Sequence, residues 1–146
     1  MAHPELADWI ERYTDVLTSR WIEAVRADSR IHSDADLSED GLRDHIPALI
    51  EEVCQLIRTG EIPSLVNVRE ARVHAYVRFR QGYRASELVR EMALLRLIIL
   101  DHLTRGLVEN SLATPQDAYV QTARLINQYI DEEMIYAIAV YTEAVG

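Results

Sequence analysis

A chain of 146 residues, about half of them apolar, is long enough for one domain with a proper core and too short for two comfortable ones. Its net charge of −9, with all 15 basic residues arginine, repels nucleic-acid phosphate, so neither DNA nor RNA is an expected partner. No stretch approaches the roughly 20 apolar residues of a membrane span, the acidic start MAHPELADWIERY is unlike a signal peptide, and a lone cysteine, Cys54, suits a reducing compartment. The expectation is a cytoplasmic protein with no membrane partner.

Glycine and proline are sparse, five and four, and stand where helices start or stop. Pro4 opens a first helix in which Leu6, Trp9, Ile10, Tyr13, Leu17 and Trp21 recur at helical spacing, running to about Ala27. The polar, aperiodic stretch 28–40 reads as a connection. Ser38 caps a second helix carrying Leu42, Ile46, Leu49, Ile50, Val53, Leu56 and Ile57, which Gly60 ends. Pro47 removes a hydrogen bond inside that pattern, so the helix kinks there or starts afresh near Ile46. After a loop over 61–66, Asn67 and Glu70 resemble a capping box opening a third helix to about Gln81, with Gly82 as its left-handed cap. Ser86 caps a fourth helix to about Leu107, and Thr114 with Pro115 opens a fifth that lasts to the end of the sequence. No segment alternates with a strand's period of two. The predicted fold is all-α, a bundle of about five helices, four-helix-bundle or globin-like, forming a single domain over 1–146.

The fourth and fifth helices carry apolar residues on two sides. Leu88, Met92, Leu95, Ile99 and Leu103 form one stripe of the fourth, while Leu94, Leu97 and Leu100 point elsewhere. In the fifth, Tyr119, Ala123, Ile126, Ile130, Met134, Ala137 and Tyr141 share a face, and Leu125, Tyr129, Tyr136 and Val140 another. A helix apolar on both sides needs cover on both sides, and a second copy is the expected source. The candidate dimer and relay face is Ile126, Ile130, Glu133, Ala137 and Tyr141. Glu133 is expected at its partly exposed edge, the alternative being an arginine partner in the core or across a dimer. AIAVYTEAVG keeps helical register to the last residue, which fits either a helix continuing into an output module or a frayed terminus.

Chemical motifs are scarce. Di-iron bundles use Glu-x-x-His, and the nearest match, Glu70 and His74, is one residue wider and not duplicated. His3, His32, His45, His74 and His102 lie in five separate segments, and no cysteine pair suits zinc, so no metal is expected. His102 and His74 lie beside apolar residues and are the two conceivable haem ligands, which makes a haem-binding globin-like gas sensor the alternative reading. Such histidines are more often hydrogen-bonded core residues, and no cofactor is expected. Cys54 in VCQLI sits in an apolar setting that would leave it inert, and no nucleophile elbow or phosphate loop is present, so an enzyme is not expected. Glu51-Glu52 and Asp131-Glu132-Glu133 read as solvated helix faces.

One constellation stands out: His74, Arg78, Gly82-Tyr83, Glu91 and Arg96. His74 and Arg78 share a helix face, and in a hairpin turning at Gly82 Arg78 and Glu91 lie at comparable distances from the turn, so they can pair across it. Such a pair either fixes the hairpin or forms a polar switch or anion pocket in an apolar bundle. These residues also carry a resemblance. HAYVRFRQGYRASELVREMALLRLIILDHL, residues 74–103, resembles the N-terminal domain of the RsbRD type, named for the RsbT co-antagonist proteins of bacterial stress signalling. The shared pattern is His74, Arg78, Gly82-Tyr83, Glu87-Leu88-Val89, Glu91 and Leu94-Leu95-Arg96, and DHIPALIEEV, residues 44–53, is similar to the family's second helix. The resemblance spans about Trp9 to Leu107 and departs at Arg84, where the pattern has a small capping residue. It implies a non-catalytic, dimeric sensory module that passes a conformational change to a fused or partner output domain, whether kinase, STAS or helix-turn-helix. The chain itself carries no kinase phosphoacceptor box or ATP-binding motif.

Overall fold

The computed structural model describes residues 3–64, 66–109 and 115–145. Among them there are only helices and connections, no strand. The first predicted helix is two: α1 (Pro4–Glu11) and α2 (Thr14–Ala27). The break at Arg12–Tyr13 has a tertiary cause. The Tyr13 amide turns to the Ile10 carbonyl three residues back, and the bend lets α1 pack mainly on the helix over 46–59 while α2 packs mainly on the helix over 85–108. An apolar stripe at three- and four-residue spacing runs through such a bend unchanged, so periodicity alone does not reveal it.

The second predicted helix also divides, into α3 (Glu39–Arg43) and α4 (Ile46–Thr59), with a 3-10 turn at Ser33–Asp36 before them. Ser38 caps α3 by accepting from the Gly41 amide at 3.0 Å. His45 then adopts a left-handed φ of 71°, unusual for a residue with a side chain. Pro47 therefore falls in the first turn of α4, where its missing N–H costs nothing. Gly60 closes α4 with φ 72°.

α5 (Arg69–Arg80), α6 (Ala85–Val108) and α7 (Gln116–Val145) complete the chain. Of the expected start of α7, Thr114 lies outside the described residues, as does the Gly146 end; the Pro115 carbonyl accepts from Ala118 and Tyr119. The capping box expected at α5 is absent. Asn67 instead holds its own loop through the Ser64 amide and the Ile62 carbonyl, and α5 is capped from a distance by Glu52 of α4, which accepts from the Glu70 and Ala71 amides. Ser86 is not the cap of α6 either. Arg84 holds that position, and the Glu87 carboxylate accepts its amide at 2.9 Å. Glu87 also accepts from the His32 and Ser33 amides and the Ser33 hydroxyl, pinning the 3-10 turn to α6.

α6 and α7 run antiparallel, since Tyr83–Tyr141, Arg96–Asp131 and Thr104–Tyr119 contact one another in reversed order. α5 reverses into α6 through Gly82 at φ 85°, so it lies parallel to α7. The core is one apolar cluster to which every α-helix contributes, with Trp21 its largest side chain. Leu88, Met92, Leu95, Ile99 and Leu103 of α6 are all buried in it.

A buried charge cluster at the junction of α5, α6 and α7

Within this apolar core lie four ionisable side chains with no solvent exposure: His74 and Arg78 of α5, Glu91 of α6 and Glu133 of α7. His74 and Arg78 are one turn apart and so face the same way. The Gly82 reversal brings Glu91 level with Arg78, and the parallel packing of α7 brings Glu133 level with His74. His74 Nδ1 lies 2.8 Å from Glu133 Oε2, and His74 Nε2 lies 3.7 Å from Glu91 Oε1. Arg78 Nε donates to Glu91 Oε1 at 2.9 Å. Its Nη2 donates to the Leu42 carbonyl at 2.7 Å and its Nη1 to Gln81 Oε1 at 2.7 Å. The guanidinium also stands 5.1 Å from the Tyr83 ring centroid. Trp21 holds the α6 backbone here, its Nε1 donating to the Glu91 carbonyl at 3.0 Å.

Satisfaction is incomplete. His74 Nε2, Glu91 Oε2, Glu133 Oε1 and the Tyr83 hydroxyl have no hydrogen-bond partner. Burial drives the protonation states. It pushes Glu133 well above the usual carboxylate range, with the charge of Glu91 adding to the effect, and it holds His74 well below the usual imidazole range, helped by Arg78. Glu91 is also raised by burial, but the Arg78 guanidinium opposes the rise, so Arg78 and Glu91 form the ion pair while His74 and Glu133 together stay neutral. Sealed from solvent, the cluster offers none of these groups to a substrate. What it can do is hold three helices in one register and exchange a proton.

Residues 15–145 match the model of the RsbT co-antagonist protein rsbRD N-terminal domain. The chain belongs to this family. No curated protein matches it, and no solved structure does. The match runs from α2 to α7 and takes in the whole cluster, leaving α1 outside. This RsbRD N-terminal domain is accordingly a regulatory signalling domain, and no helix among its described residues is long and apolar enough to cross a membrane.

Of the constellation named from sequence, the structure brings together His74, Arg78 and Glu91. Arg96 is not with them. It lies on the opposite side of α6, half-buried, and pairs with the exposed Asp131 at 3.1 Å, because five residues beyond Glu91 the helix has turned well past the cluster face. Glu133 joins the cluster in its place, fully buried and not at an edge, and its partner is a histidine where an arginine was the alternative considered. The stripe assigned to a subunit contact is likewise turned inward. Ile126, Ile130 and Ala137 are each at most 1% exposed within a single chain, packed in its own core. Tyr141 is half-buried and donates to the Tyr83 carbonyl. Glu52 is no solvated face residue, since besides capping α5 it accepts the Tyr129 hydroxyl at 2.7 Å.

The two histidines considered for haem are engaged. His102 Nε2 lies 3.0 Å from the Trp9 carbonyl, and its ring stacks on Trp9 at 4.7 Å. His74 is held by Glu133. Cys54 is fully buried, and burial pushes its thiol up to about 12, far from a reactive thiolate.

Proposed function

We propose that this domain is the non-catalytic signal-input unit of a cytoplasmic bacterial signalling protein, acting as a homodimer and relaying a change in helix packing through α7 to an output domain, whether kinase, STAS or helix-turn-helix. The supporting observation is the fully buried polar attachment of α7 to α5: Glu133 against His74, with two of the pair's polar atoms unpartnered. Apolar contacts are non-directional, so by themselves they do not tie one helix to a particular partner atom on another. A buried polar contact is directional and is either made or broken, which gives the helix two discrete positions for a signal to choose between. The sealed cluster also favours a regulatory over a catalytic role, because nothing in it reaches a substrate.

For the dimer, the surface favours residues other than the inward stripe. Leu97 of α6 and Ile135 and Ile138 of α7 are 60%, 60% and 56% exposed, on the two helices that pack most extensively with each other. Two measurements test the reading. Light scattering should give twice the 16.7 kDa chain mass. Spin labels on Arg80→Cys and Thr142→Cys, both exposed positions on α5 and α7, should report two distances whose proportions change when Glu133 is replaced by Ala. A single unchanging distance would rule out the relay, and a monomer would rule out the dimer.

A further inference from the structure

The cluster has a charge balance that determines how many protons it can hold. Arg78 and Glu91 cancel, at 2.9 Å. That leaves His74 and Glu133, 2.8 Å apart and both without solvent exposure. With one proton between them, the pair carries no net charge, whether the proton sits on the imidazole or on the carboxyl. With none, a lone carboxylate is left in the core, and with two, a lone imidazolium. Either unbalanced state places an uncompensated charge where no water reaches it.

We propose that His74 and Glu133 share a single proton that latches α7 to α5, and that loss of this proton to solvent releases α7, making the domain responsive to proton concentration. The surrounding charges reinforce this. From α6, Glu91 faces His74 Nε2 at 3.7 Å. From α4, Glu52 lies close enough to add negative potential at Glu133, and His45, just before α4, adds positive potential at His74. On α5 itself Arg78 flanks His74, and on α7 the Tyr129 hydroxyl is occupied by Glu52. Tyr83 contributes its ring to Arg78 and brings its hydroxyl near the Glu91 carboxylate, which it helps hold down. The Arg78 guanidinium opposes the rise at Glu133 from a distance, but its donors go to Glu91, Gln81 and Leu42, so it makes no direct pair with Glu133. The latch rests on the signal-input reading only in treating release of α7 as an output; the proton count stands on the geometry.

Linkage fixes the pH profile. In the unfolded chain, carboxyl and imidazole titrate near 4.5 and 6.5, so between these values the unfolded pair also holds one proton and folding is indifferent to pH. Above about 6.5 the unfolded pair has lost its proton while the folded pair keeps one. The folding equilibrium constant then falls about tenfold per pH unit until the folded pair also gives it up. The experiment is urea denaturation of the wild-type chain and Glu133→Gln between pH 5.5 and 9, followed by hydrogen exchange of α7 amides corrected for intrinsic rates. The wild type should show the plateau and the tenfold decline, with α7 losing protection before α2. Glu133→Gln, which holds no titrating proton, should lose the decline. Should that variant not fold, the wild-type profile with its α7 exchange decides alone. A flat wild-type profile above pH 6.5, or a decline that survives in Glu133→Gln, overturns the latch. Neither outcome alters the dimer mass or the spin-label distances, by which the signal-input reading stands or falls.

Discussion

The Tyr141 hydroxyl donates to the Tyr83 carbonyl at 2.7 Å, fastening the last part of α7 to the turn between α5 and α6. Phe79 meets the Tyr141 ring edge-on at 5.0 Å, so the same side chain makes one polar and one aromatic contact there. Together with Glu133 against His74, two turns earlier, this ties the C-terminal half of α7 to α5 and the turn that follows it.

Tyr141→Phe removes the polar contact and keeps the aromatic one. The expected cost is about 1 kcal/mol in urea denaturation, that of one ordinary hydrogen bond. Hydrogen exchange should quicken in α7 beyond Glu133 while α2 and α4 keep their protection. Equal loss of protection throughout would mean that the C-terminal part of α7 does not open separately.

Removing one half of the buried ion pair should cost far more than the pair is worth. Arg78→Met leaves the Glu91 carboxylate unpaired at zero exposure and frees the Leu42 carbonyl and Gln81 side chain. The expected destabilisation is about 3–5 kcal/mol. Arg78→Met combined with Glu91→Met should recover most of it, because two apolar side chains leave no charge to compensate. Denaturation of the single and double variants checks this, and additive costs would show that the two residues do not act as a pair.

On the acid side Glu87 is one of the groups that should contribute. Burial alone would raise its carboxyl, but bonds from the Arg84 and His32 amides and from the Ser33 hydroxyl and amide outweigh it and hold it at about 2. A depressed folded value means that its contribution is complete above about 4.5 and is lost as pH falls from there towards 2. Asp28 is also held low, by Arg90 first and Arg30 next, and acts in the same direction. Stability measured from pH 5 to 2 should therefore decline, and Glu87→Gln should reduce the slope. An unchanged slope would assign the acid transition to other groups.

The parts of this molecule legible in the sequence are those governed by neighbours along the chain. The α6 stripe, the Gly82 reversal and the approach of Arg78 to Glu91 follow from helical spacing and from counting residues out from a turn. Pro47 pointed to a kink or a fresh start near Ile46 for the same local reason, and the helix does start there. Partners distant in sequence left no such trace. Glu52 caps a helix eighteen residues on, and Glu133 meets His74 across fifty-nine. A helical wheel places Glu133 near an apolar stripe but does not say what covers that stripe. The same gap explains the inward turn of Ile126, Ile130 and Ala137. Two-sided apolarity requires two covers, and here α4, α5 and α6 of the same chain supply the inner one.

That reassignment changes which substitution tests a dimer. Ala137 is 1% exposed within one chain, so Ala137→Glu puts a larger, charged side chain into the core and should cost more than about 4 kcal/mol, unfolding the domain whatever its assembly state. Ile138, next along α7, is 56% exposed and points away from that core. Ile138→Glu should change the stability of an isolated chain by no more than about 0.5 kcal/mol. At the centre of a subunit contact it would bury two like charges near each other, one from each copy, because a two-fold interface repeats every residue. Light scattering with circular dichroism separates the cases. Ile138→Glu should stay helical and run at 16.7 kDa while the wild type runs at twice that mass. A helical Ile138→Glu that remains dimeric would move the contact away from the exposed side of α7.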